Sequence, residues 1–120
     1  MATYDLDGVR HVVFVCLGSD CRKHGADGVL ANLKGEIKEL GLRGQVHVVR
    51  TRCMGRCDDA CNVVVTPAGP WYGGVSARSA KRIAREHLRD GVPVAELEAY
   101  DIGGAHVRKT GGGKRGKPRK

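Results

Sequence analysis

The chain has 120 residues and a mass of 12.9 kDa, enough for one domain with a core of its own; with one Trp, three Tyr and one Phe, that core falls to Val, Leu, Ile and Ala. The formal charge is +8, yet seven of the Lys and Arg residues and none of the acids lie in 105–120. Residues 1–104 therefore carry fourteen cations against thirteen acids, which argues against a basic, nucleic-acid-binding body.

In chain order, "MATYDLDGVR" has two acids and no long apolar stretch, so a secretory signal is not expected. No later run approaches the roughly 20 apolar residues that span a bilayer. A cytoplasmic location with no membrane contact is the expectation. After an N-terminal extension over 1–9, "HVVFVC" (11–16) reads as a buried strand ending at Cys16. "LGSDCRKHGADG" has loop composition. Val29, Leu30, Leu33, Ile37 and Leu40 recur at helical spacing, followed by Gly41, and predict an amphipathic helix from about Asp27 to Leu40. "QVHVVRTRC" predicts a second strand leading into Cys53. "NVVVTP" and "PWYGGV" flank Pro67, Ala68 and Gly69 and predict a β-hairpin of edge strands limited by their prolines. Ser76 is the expected cap of a second helix, with Ala80, Ile83, Ala84 and Leu88 inward and Gly91 and Pro93 stopping it. "PVAELEAYDI" predicts one more helical turn. The domain is expected over 10–104. A disordered basic tail is expected over 105–120, since "AHVRKTGGGKRGKPRK" has no large apolar residues to offset the entropy of ordering it.

A strand, a helix and a second strand most often form a right-handed crossover with parallel strands. The loops leaving both strands then emerge at one edge of the sheet. That brings Cys16 and Cys21, a C-x4-C pair, toward Cys53 and Cys57, a C-x3-C pair. In a reducing compartment five cysteines, an odd number, argue for metal or redox chemistry over structural disulfides. Four converging thiolates suit zinc or an iron–sulfur cluster. Neither pair has the two-residue gap usual in zinc knuckles; the wider gaps fit a two-iron cluster, with one iron per pair. Cys61 opens the "VVV" strand and reads as an inward-pointing core thiol.

"VVFVCLGSDCRKHGA", a helix, and then "RCMGRCDDACNVVVTPAGPWYGGV" resemble the thioredoxin-like [2Fe–2S] ferredoxins. They are similar also to the cluster-bearing small subunit of NADH dehydrogenases and NAD-linked hydrogenases. The resemblance covers roughly residues 10–90. It implies an α/β thioredoxin-like fold: a βαβ unit, a β-hairpin and a C-terminal helix. It implies a [2Fe–2S] cluster held by Cys16, Cys21, Cys53 and Cys57, with one-electron transfer and no catalytic residue. Its partners would be a redox protein, a reductase or oxidoreductase, with a homodimer or a place in a larger enzyme as further options. Many relatives carry proline where this chain has Cys61, so Cys61 replaces a structural residue. The basic tail is not part of the pattern.

For such a centre, Gly18 and Gly55 are expected to let backbone approach the sulfurs. Arg22, Lys23, Arg52 and Arg56 would favour the reduced state, and Asp20, Asp58 and Asp59 the oxidised one. His24, three residues after Cys21, is expected to be a plain loop histidine. Two other classes stay open. One is a zinc-stabilised module with weak nucleic-acid contact through "KRGKPRK", whose affinity would fall steeply with salt. The other is a thiol enzyme using Cys57 or Cys61, which the lack of a C-x-x-C pair disfavours.

Overall fold

The computed structural model describes residues 5–111. Strand β1 (His11–Cys16) is followed by a short helix α1 (Ser19–Lys23), helix α2 (Ala26–Glu39) and strand β2 (Val46–Thr51). Strands β3 (Val63–Thr66) and β4 (Trp71–Tyr72) form the hairpin. Helix α3 (Ala77–Arg82) then runs on as a π-helix over Ile83–Arg89, and strands β5 (Glu98–Asp101) and β6 (Arg108–Lys109) complete the chain.

The six strands make one sheet in the order β2-β1-β3-β4-β5-β6. β1 and β2 are parallel, with Val13 opposite Val48 and Cys16 opposite Thr51; every other pairing is antiparallel. Side chains alternate across a strand. Thus Val13 and Val15 of β1, Val63 and Val65 of β3 and Tyr72 of β4 enter a single core with Val29, Leu33 and Ile37 of α2 and Ala80, Ile83, Ala84 and Leu88 of the last helix. The intervening Val12, Phe14, Trp71 and Tyr100 stay partly exposed.

Local chemistry explains the boundaries. Gly41, at φ +70°, closes α2: its N–H bonds the Lys38 carbonyl at 3.1 Å, and the Leu42 N–H bonds that of Ile37 at 2.9 Å, the paired bonds of a Schellman ending. Ser76 caps α3 reciprocally, its Oγ accepting from the Ser79 N–H at 3.0 Å and its own N–H donating to Ser79 Oγ at 2.7 Å.

Four expectations are corrected. The loop expected over "LGSDCRKHGADG" winds into α1 at Ser19–Lys23, where Asp20 in the first turn and Arg22 and Lys23 in the last complement the helix dipole, and α2 opens at Ala26. β3 and β4 are interior strands, with β2 and β6 at the edges; Pro67 and Pro70 lie in the turn between the strands, where a missing N–H removes no bond from the ladder. "PVAELEAYDI" gives a single 3-10 turn over Ala95–Leu97 and then becomes β5, with Ala99 buried between half-exposed neighbours. The chain also continues in the sheet past residue 104, because β6 pairs Lys109 with Tyr100 and Arg108 with Asp101. The remainder of the expected tail, 112–120, lies outside the described residues.

Candidate metal centre

Because β1 and β2 are parallel, their following loops meet at one sheet edge. Gly18 is a point of close approach between them. A Cβ placed on it would lie 2.9 Å from Cys53 Cα and 3.0 Å from Cys53 N, distances that real Cβ atoms avoid. The two loops enclose a small cavity of about 30 Å³ whose lining includes Cys16, Cys21, Cys53 and Cys57. Cys61 does not line it.

The four sulfurs are arranged as two pairs. Cys53 Sγ and Cys57 Sγ are 3.5 Å apart on the exposed loop. Cys16 and Cys21 face each other from the buried side, with Cys16 Sγ donating to the Arg52 carbonyl at 3.3 Å. Among the described residues, no three His, Cys, Asp or Glu side chains form a group suited to a metal ion. Two facing pairs instead match the donor set of a two-iron cluster, each iron taking two thiolates. Backbone and side-chain donors are in place for sulfur: the Gly55 N–H, at a φ of +82° open to glycine, reaches Cys53 Sγ at 3.3 Å, and Asn62 Nδ2 reaches Cys21 Sγ at 3.7 Å.

Proximity and burial raise two of these thiols, Cys57 and Cys21. The Cys53 thiol, followed by Asp20, pushes Cys57 up to about 11. Burial raises Cys21, while hydrogen bonds from Asn62 work against that rise. A bound cation displaces such protons, so assembly at this site releases them.

The charged neighbours are less available than their positions in sequence suggest. Arg56 pairs with Asp59 and lies 5.1 Å over the Tyr100 ring, so its charge is matched inside its own loop. Arg22 reaches Asp27 at 3.8 Å in an exposed pair, a weak interaction in water. His24 Nδ1 bonds the Asp20 carbonyl at 2.8 Å, where the ring N–H is the donor; the residue ends α1 and supplies a carbonyl to Cys61. Cys61 is 1% exposed and donates to the carbonyls of Cys21 at 3.3 Å and His24 at 3.4 Å. Among the lining residues that sequence reasoning missed are Asn62 and the half-buried Met54. Neither residue type in a loop or at a strand start carries a signal.

No protein-family model matches the chain. A protein of Priestia megaterium described as a candidate 2Fe-2S ferredoxin is 38% identical over 101 residues, covering 84% of this chain and 79% of its own. The 2Fe-2S ferredoxin of Clostridium pasteurianum is 30% identical over 99 residues, covering 74% of this chain and 95% of its own. The solved structure of a thioredoxin-like [2Fe-2S] ferredoxin from Aquifex aeolicus superposes with a TM-score of 0.73 at 28% identity, over 78% of this chain and 94% of that one. Relatives matched over two thirds or more of both sequences, a shared fold and two facing cysteine pairs at one sheet edge lead to one conclusion: the chain belongs to the thioredoxin-like [2Fe–2S] ferredoxins.

Proposed function

We propose that Cys16, Cys21, Cys53 and Cys57 hold one [2Fe–2S] cluster through which this ferredoxin carries single electrons to and from a redox partner protein. The observation that carries the ligand assignment is the meeting of the four cysteines, as two pairs, around one cavity. When bound, such a cluster accepts and returns one electron without bond-making in a substrate. The chain's own residues do the rest. β1 and β2 fix the loop ends, the Gly18 contact holds the loops together, and the buried pair is shielded while Cys53 and Cys57 face outward. A reductase or oxidoreductase would therefore dock over the Cys53–Cys57 loop, where the path into the protein is shortest. The cytoplasm, which keeps thiols reduced, is the compartment proposed for this chemistry. No described helix is long and apolar enough to cross a membrane.

The test is protein purified without oxygen, analysed for iron, sulfide, zinc and visible absorption. The expected result is two irons and two sulfides per chain, colour that bleaches on reduction, and loss of the native spectrum in serine variants of each of the four cysteines. Colourless protein with stoichiometric zinc, after attempted reconstitution, would reject the proposal.

A further inference from the structure

Asn62 precedes β3 and is 1% exposed. Both ends of its amide are engaged. Nδ2 donates to the Arg56 carbonyl at 2.9 Å and to Cys21 Sγ at 3.7 Å, and Oδ1 accepts from the Trp71 indole N–H at 3.0 Å. An indole nitrogen is only a donor. A flipped amide would set two N–H groups against each other at Trp71 and turn an acceptor oxygen toward the Cys21 sulfur. Trp71 thus fixes which end of the amide faces the cysteine.

We propose that Asn62 is a positioning residue that sets the reduction potential of the centre, with Trp71 holding it in the donating orientation; this rests on the ligand assignment proposed above. Reduction brings in one electron from a donor protein, with no proton taken up and no bond broken. The added negative charge is shared by the cysteine sulfurs, and a hydrogen bond to sulfur stabilises the more negative state. Exposed Cys53 and Cys57 can draw such bonds from water and from the Gly55 N–H. Cys21, 2% exposed, is shielded from water, so the protein must supply its donor. Asn62 supplies two, its backbone N–H and its side-chain Nδ2, and the side-chain donor is the one that a substitution removes.

The experiment compares wild type with Asn62→Leu, which keeps much of the volume and removes the donor, and with Trp71→Phe, which leaves Asn62 and removes its orienting N–H. Iron and sulfide are counted first. The potential is then measured by spectroscopic titration with dithionite as reductant, and the iron–sulfur stretching bands are recorded in water and in deuterium oxide. Both variants are expected to hold full clusters. N62L should lose roughly tenfold in the reduced-to-oxidised ratio at a fixed potential, about 59 mV for one electron, and show a smaller deuterium shift. W71F should move the same way by less. An N62L protein with a full cluster, unchanged potential and unchanged deuterium shift would overturn the assignment. If N62L cannot hold the cluster, W71F decides, and an unmoved potential there rejects it. A wild-type protein that binds no cluster even after reconstitution instead fails at the earlier step, the ligand assignment, and leaves nothing for Asn62 to tune.

Discussion

Cys57 and Cys61 are four residues apart in a loop that turns through a 3-10 segment over Cys57–Asp59, and they meet opposite surroundings. Cys57 is exposed beside Cys53, while Cys61 is buried. Burial first, and then Cys21 and Cys16, push the Cys61 thiol up to about 11, so it stays a neutral S–H donor to two carbonyls. Cys61→Ala should keep full iron and sulfide and lower stability to denaturant by about 1–2 kcal/mol; a loss of half the iron would instead make Cys61 a ligand. His87 is a second buried group with a defined role. The Tyr72 hydroxyl accepts from the Val94 N–H at 3.0 Å and so is free to donate to His87 Nδ1 at 2.8 Å. Burial, and then the nearby His11, hold His87 down at about 4. The unfolded imidazole titrates near 6.5, so between about pH 6.5 and 4 the unfolded chain binds the extra proton. This contribution to stability is complete above that window and is lost as pH falls through it. Unfolding midpoints of wild type should drop across the window, and those of His87→Gln should depend less on pH; parallel curves would show that His87 does not carry the effect. Of these residues the cysteines were legible from spacing, since paired thiols beside strand ends have few other meanings. Asn62 and His87 were not, because their roles depend on partners Trp71, nine residues on, and Tyr72, fifteen residues back.

The site is made by two loops, and what lets them close is the missing side chain of Gly18. Its backbone, at φ −62° and ψ 165°, suits any residue, so the requirement is purely one of space. Gly18→Ala should force the Cys53 backbone away, cost about 1–3 kcal/mol by overpacking, and speed iron loss to a chelator. Iron retention equal to wild type would show that the loops yield without disturbing the cysteines. The βαβ unit that presents these loops could be read from the sequence because two β-branched runs bracket a helix with a clear apolar stripe. The other half was harder to read. "EAYD" in β5 sets Ala99 and Tyr100 side by side between two acids, with no alternation to mark a strand, and its strand character comes from pairing with β4, where Trp71 meets Tyr100. A stretch that short takes its conformation from its neighbour across the sheet. The same holds for β6, whose Arg108 and Lys109 look like tail composition and become strand only against β5.

At the scale of the whole molecule, the densest positive charge and the site lie in different stretches of the sequence. The cysteines lie within residues 16–61, whereas residues 112–120 hold five Lys and Arg and no acid, so removing them takes the formal charge from +8 to +3. Ending the chain at Gly111 keeps β6 and the 5.6 Å approach of Lys109 to the Tyr100 ring, and leaves all four proposed ligands in place. Charges held away from a site by more than a Debye length, about 8 Å at physiological salt, act on it weakly. The same charges act strongly on a polyanion, where each phosphate contact releases counterions. The truncated protein should therefore match full-length protein in iron, sulfide, visible spectrum and reduction potential, yet elute from a heparin column at much lower salt. A changed potential would place the last nine residues within reach of the centre. Unchanged elution would locate the polyanion-binding surface on the folded body, which keeps sixteen Lys and Arg against thirteen acids.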